Sequence, residues 1–290
     1  MTSLVVIVGE TASGKSALAL ELAKQFDGEL ICADSWTVRR GLDIGTAKPS
    51  AGELAAVQHH LLDIVEPGED FTAAIFKGLA NRAIADISGR GKLPIMVGGT
   101  GLYIDSVLYD YGFLEAGDRT QRERFDGMSV EEVLAEIATR GIELGDVDVR
   151  NKRRLVRLIE TNGARPTRSE LRPNTCIIGM QPERTELAQR IERRVDHMLA
   201  AGLEAEVREL VDRYSWQAEG LKGVGYAQWR GYLDGTEPIT DTRQKIIKAT
   251  LDLAKRQRTW FRRNKSIQWI PTPVDQQAVV DLITTYFSKQ

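Results

Sequence analysis

Two cysteines in 290 residues, Cys32 and Cys176, are too few for a disulfide framework. Both lie in apolar, strand-like runs, which predicts buried free thiols in a reducing cytoplasm. Long apolar runs are missing too. None approaches the roughly 18 residues of a membrane span, and the first apolar run already begins at Leu4, which leaves no leader-like pattern. The expectation is a cytoplasmic chain with no membrane partner. Internal repeats and low-complexity segments are absent, which excludes solenoids and disordered arrays. Net charge is nearly absent at −2, so the chain as a whole is no polycation. What remains is an ordinary globular composition, 42% hydrophobic and 28% charged, with room for one domain plus an insertion.

The charge is unevenly placed. Residues 150–172, "RNKRRLVRLIETNGARPTRSELR", hold eight Lys/Arg against two acids, and residues 245–265, "KIIKATLDLAKRQRTWFRRNK", eight against one. Two local basic segments in a near-neutral protein fit a polyanion footprint. They fit two solvated helix faces as well, and charge alone leaves both readings open.

The pattern along the chain alternates. A strand at 4–8 leads into a glycine loop and a helix near 15–25; a second strand covers 29–33. A Gly- and Thr-rich loop (41–50) precedes a short strand near 60–65 and a helix at 71–87. "LPIMV" is a strand running into "GGTG", followed by a helix at 102–109. This is the signature of βαβ units around a parallel sheet. From 114 to 172 the pattern changes to helices near 119–126, 129–140 and 149–162, with no strand between. A strand at 175–180 and helices at 183–200, 203–214 and 240–263 follow, and "IQWI" reads as one more strand. The spacing predicts an α/β core over 1–113 and 173–290, interrupted by a helical insertion domain at 114–172.

"GETASGKS", residues 9–16, fits G-x-x-x-x-G-K-[ST] between a buried strand and a helix. Gly9, Thr11, Ala12, Ser13, Gly14, Lys15 and Ser16 are therefore the candidate diphosphate cradle, with backbone N–H groups pointing at a helix N-terminus. Lys15 adds a point charge, and the Ser16 hydroxyl suits Mg²⁺ carried on the same phosphates. The usual occupant of such a loop is ATP or GTP. The second strand ends in "ICADS", which puts Asp34 at the carboxyl edge of the sheet, where α/β proteins bind ligands. A carboxylate there can be a metal ligand, an N-cap or a base. The fourth strand ends in "GGTG", whose glycines allow close backbone approach around the Thr100 hydroxyl. An ATPase would typically carry an acid at this strand end. None stands there, which weighs against ATP hydrolysis.

The stretches "GETASGKS", "ADSWTVRRGLDIGTAKP", "HHLLDIVEP", "PIMVGGTGLYIDSVL", "RRLVRLIE", "RIERRVDHMLAAGLEAEV", "KGVGYAQW" and "LAKRQRTWFRRN" run in this order over nearly the whole chain. Together they resemble the bacterial tRNA dimethylallyltransferases (tRNA isopentenyltransferases). The resemblance implies a P-loop NTPase-like α/β fold whose loop holds dimethylallyl diphosphate. It implies transfer of the prenyl group to the N6 amine of adenine 37, beside the tRNA anticodon. Asp34 matches the family's catalytic carboxylate, with Lys15 and Thr100 at its side. Asp34, Ser35, Thr37 and Thr100 face the target nucleotide; Arg122, Arg153, Arg154, Arg157, Lys255 and Arg256 fall where the family contacts the anticodon stem-loop. Mg²⁺ on Ser16 is the implied cofactor, and a monomer needs no protein partner. A small-metabolite kinase, a prenyltransferase acting on free adenine nucleotide and an RNA-binding protein without catalysis are the alternatives.

Four positions depart from the family pattern. Glu10 replaces a proline in an anion-binding loop and is expected to point outward. Thr37 replaces a glutamine that helps read the adenine, and Arg39 replaces a tyrosine. Leu251 stands where an arginine is expected, so Lys255 or Arg258 is expected to supply part of the clamp. A Cys/His pair near the C-terminus, the zinc finger of eukaryotic relatives, is absent.

Overall fold

The computed structural model describes residues 3–114 and 119–289. Its chain order begins β1 (Leu4–Gly9), α1 (Lys15–Gln25), β2 (Gly28–Ala33), α2 (Ala51–Ala56), β3 (His59–His60), α3 (Ala73–Gly89), β4 (Leu93–Gly98) and α4 (Gly101–Leu108). Then come α5 (Arg119–Asp126), α6 (Val130–Thr139), α7 (Lys152–Glu160), β5 (Thr175–Gln181), α8 (Arg184–Ala200) and α9 (Leu203–Tyr214). Two short 3₁₀ turns precede α10 (Arg230–Leu233), α11 (Ile239–Phe261), β6 (Gln268–Pro271) and α12 (Gln276–Ser288).

The six strands form one parallel sheet in the order β3-β2-β4-β1-β5-β6. β1 and β2 are buried along their whole length, as strands covered on both faces of a parallel sheet must be. Leu18, Ala19 and Leu22 of α1 join Val279, Val280 and Ile283 of α12 in one apolar layer with Val5, Ile7, Leu30, Ile95 and Ile178 of the sheet. α3 packs along β2 and β4, and α11 against β1. With the glycine loop following β1, this is the P-loop NTPase-like α/β fold. Both cysteines are buried thiols, and burial pushes each up to about 12.

The chain forms two compact units, 1–108 with 171–290, and 109–170. The insertion was expected to begin at 114. Residues 109–113 join it because its two ends bond to each other: Ser169 N–H donates to Tyr109 O at 2.8 Å and Gly112 N–H to Thr167 O at 3.1 Å. Within that unit Phe125, Val133, Ile137, Leu155 and Leu158 make a small core of their own. Ser129 and Glu132 close a capping box at the start of α6.

The strand expected over 60–65 is shorter. Only His59–His60 pair with β2. Leu61 and Asp63 have φ of 63° and 52°, a left-handed backbone that no strand continues through. Val65 still touches Arg39 by an isolated bridge. "IQWI" yields β6, displaced by one residue and paired to β5. α12 had no counterpart among the sequence expectations.

Candidate active site

β1 delivers the chain into the glycine loop at the carboxyl edge of the sheet. Ala12 and Gly14 take left-handed conformations, φ 61° and 93°, and Gly14 is the N-cap of α1. The loop is closed on itself by Ser13 N–H donating to Glu10 O at 3.2 Å, and Lys15 Nζ donates to the same carbonyl at 3.2 Å. The amides of Lys15 and Ser16 belong to the first turn of α1, where a helix offers donors without intrahelical acceptors. The Thr11 amide is already engaged, donating to Gln257 Oε1 at 2.7 Å.

Asp34 follows β2 directly. Its Oδ1 accepts the Trp36 amide at 2.9 Å, closing a tight turn. Oδ2 has no partner among the described residues. Thr100 folds onto the same turn: its Oγ1 accepts the Ser35 amide at 3.0 Å, and its own amide donates to Ala33 O at 3.2 Å. The two strand ends come this close because residue 98 is glycine; a Cβ there would stand 2.1 Å from Ala33 O.

Thr11, Lys15, Ser16, Asp34, Thr37 and Arg194 line one cavity of about 150 Å³, with Leu20, Leu30, Cys32 and Val97 on its apolar side. A smaller cavity of about 60 Å³ shares Thr11, Asp34 and Arg194 and adds Trp36, Val224, Ile246 and Leu253. Asp34 therefore borders both. Burial of its ammonium lowers the Lys15 pKa from 10.5 to about 8; Asp34 opposes this, and the Arg194 guanidinium reinforces it. Arg194 is itself lowered by burial and donates to Thr46 O at 3.0 Å. Thr37 lines this cavity, and its hydroxyl is buried without a hydrogen-bond partner among the described residues.

Glu10 corrects an expectation. It does not point outward: it is 3% exposed and paired with Arg258 of α11, Nη2 to Oε2 at 2.9 Å and Nε to Oε1. A carboxylate in an anion loop is tolerable when a guanidinium takes both its oxygens. Arg258 is thereby committed to the loop. Arg39 is equally committed, buried at 3% exposure and donating to the carbonyls of Pro67 and Glu69 at 3.1 and 2.8 Å.

Among the residues expected to touch RNA, Ser35, Thr37, Asp34 and Thr100 gather at this site. Lys255 and Arg256 are exposed on α11 and line neither cavity. Arg153 and Arg154 are exposed on α7. Arg122 and Arg157 both reach the buried carboxylate of Glu160, Arg122 with bonds of 2.9 and 3.0 Å and Arg157 with one of 3.1 Å. Arg157 also donates to Leu114 O at 2.8 Å.

Three contributors escaped sequence reasoning: Arg194, Gln257 and Glu206. Glu206 of α9 accepts the amides of Asp43, Ile44 and Gly45 at 3.1, 2.7 and 3.1 Å, and the Tyr226 hydroxyl at 2.7 Å. One carboxylate thus anchors the "DIGTAKP" loop, whose Thr46 borders both cavities. A carboxylate at a helical position carries no signal of this in sequence.

The model of the family described as IPP transferase matches residues 37–264. The chain is 37% identical to the tRNA dimethylallyltransferase of Oceanobacillus iheyensis, over 95% of this chain and 94% of that one. It is 42% identical to tRNA dimethylallyltransferase 1 of Citrifermentans bemidjiense, over 93% and 92%. Its structure resembles the crystal structure of the tRNA isopentenylpyrophosphate transferase of Bacillus halodurans at a TM-score of 0.78 and 33% identity, covering 100% of this chain and 97% of that one. Likeness of sequence and of fold, each over nearly the full length, makes this chain a member of the IPP transferase family.

Proposed function

We propose that the chain transfers the dimethylallyl group of dimethylallyl diphosphate to the N6 amine of adenine 37 in tRNA, releasing diphosphate. The observation that carries this is one cavity holding both a carboxylate with an uncommitted oxygen, Asp34, and an ammonium beside the glycine loop, Lys15. The adenine amine is a weak nucleophile because its lone pair is delocalised into the ring. As N6 attacks the prenyl C1, the C1–O bond to diphosphate breaks and Asp34 Oδ2 takes the N6 proton. Proton removal of this kind contributes roughly two to four orders of magnitude. Lys15 and the first amides of α1 meet the charge growing on the diphosphate.

No three His, Cys, Asp or Glu side chains gather into a metal cage among the described residues. Mg²⁺ arriving with the diphosphate would be held by the Ser16 hydroxyl, which borders the same cavity as Lys15 and Asp34. Its chemistry is to neutralise leaving-group charge. Thr100 orients the turn bearing Asp34 and Ser35. Arg153, Arg154, Lys255 and Arg256 supply phosphate contacts to the anticodon stem-loop. Adenine 37 leaves its stack for a cost of a few kcal/mol, which is smallest in an unpaired loop. Thr37 and Leu251, where the family pattern has glutamine and arginine, leave the catalytic carboxylate and ammonium in place. The chain acts as a cytoplasmic monomer. No helix among the described residues is long and apolar enough to cross a membrane.

Incubation with labelled dimethylallyl diphosphate plus tRNA, AMP or ATP tests the reading; label is expected on tRNA alone. Label on AMP or ATP would transfer the assignment to a free-nucleotide prenyltransferase, and ATP turnover without tRNA to a kinase. Asp34→Asn keeps an acceptor for the Trp36 amide but no base. Its turnover should fall by roughly two to four orders of magnitude, with unchanged diphosphate affinity and melting. Near wild-type single-turnover rates on bound tRNA would sink the role given to Asp34.

A further inference from the structure

The glycine loop after β1 and the "GGTG" loop after β4 face the same site, and one side chain bonds to both. Gln257 of α11 is 8% exposed. Its Oε1 accepts the Thr11 amide at 2.7 Å, and its Nε2 donates to Gly99 O at 3.1 Å. A primary amide accepts at one end and donates at the other; an ionised glutamate in its place would set a second lone pair against the Gly99 carbonyl, and a lysine could not accept from Thr11. The fit is close: a Cβ on residue 99 would stand 2.2 Å from Nε2. The neighbours of Gln257 hold the helix in register. Arg258 pairs with Glu10, and Trp260 Nε1 donates to Asp105 Oδ2 at 2.9 Å, its ring filling the space where Gly101 lacks a side chain.

We propose that Gln257 is a positioning residue, setting the spacing between the loop that receives the leaving diphosphate and the loop that carries Thr100. The inference rests on the prenyl-transfer reading for its chemistry, but its test does not need catalysis. Inorganic pyrophosphate binding is measured by calorimetry. Gln257→Ala should weaken it about tenfold, the scale of one well-placed hydrogen bond to a charged ligand. KM for dimethylallyl diphosphate should rise and kcat fall, while tRNA affinity stays near wild type and melting falls modestly, because the Thr11 amide and Gly99 carbonyl lose their partner. Gly99→Ala displaces the same amide from its other end and should give a similar loss. Once Gln257 is alanine, the added methyl has room, so the double variant should be no worse than Gln257→Ala alone. Additive losses, or unchanged pyrophosphate affinity in Gln257→Ala, would overturn the proposal. So would a variant whose deficit disappears when it is assayed well below its melting temperature. A wild type that binds pyrophosphate yet prenylates no tRNA would instead sink the activity and leave the role of Gln257 standing.

Discussion

Among the described residues of the unit formed by 109–170, the basic side chains Arg153 and Arg154 stay at the surface, on α7. Arg122 and Arg157 reach inward to the buried oxygens of Glu160, and Arg157 also to Leu114 O. The other unit draws Lys15, Arg39, Arg194 and Arg258 into its interior. Burying a cation is expensive unless acceptors replace its water. Arg39 has backbone carbonyls and Arg258 has a carboxylate. Lys15 and Arg194 each donate to one carbonyl, and both feel Asp34 across a cavity. The difference separates cations satisfied by the fold from cations left facing a cavity.

Lys15→Met tests that separation most sharply. Turnover should drop by about two to three orders of magnitude, yet the protein should melt higher at pH 7, because a desolvated charge has gone. A variant that loses stability along with rate would move Lys15 among the structural cations. Glu10→Gln tests the other class. It leaves the Arg258 guanidinium facing a neutral amide and should cost roughly 3–5 kcal/mol in urea unfolding; a cost near zero would return Arg258 to the surface cations.

The Lys15 pKa of about 8 adds a pH signature. Above pH 8 the folded protein loses the proton, so pyrophosphate affinity should fall toward tenfold per unit, and this extra fall should be missing in Lys15→Met. Between about 8 and 10.5 the unfolded state holds more protons than the folded one, so this residue's contribution makes stability rise with pH in that window. Calorimetry and urea titrations from pH 7 to 10 check both. The smallest effects belong to the surface cations. Arg153→Gln and Arg154→Gln should each lower the salt slope of tRNA binding by about one. Arg157→Gln should instead destabilise its unit and barely move that slope, since its guanidinium is held by Glu160 and Leu114 O.

Legibility followed the range of the forces. β1 and β4 were readable because a strand buried on both faces is a continuous apolar run, and β2 because only Glu29 interrupts one. The glycine loop was readable because its backbone geometry demands glycine at 14. Residues 60–65 misled because their apolar pattern is that of a strand, while Leu61 and Asp63 turn left-handed in the loop. The β-branched stretch in α12 gives little local preference for helix, and Val279 and Ile283 are fixed there by packing on the sheet.

By itself, then, the sequence determined the alternation of strands and helices, the phosphate loop, Lys15 beside it and Asp34 at a strand end. All of these are set by neighbours within a few residues. It also carried the family, through motifs spread along the chain. Tertiary structure alone decided which charges are satisfied and which face the cavity. Gln257 meets Thr11 across 246 positions, Arg258 meets Glu10 across 248, and Arg194 meets Thr46 across 148. Such partners leave no local pattern, because a hydrogen bond selects geometry in space and is indifferent to separation along the chain.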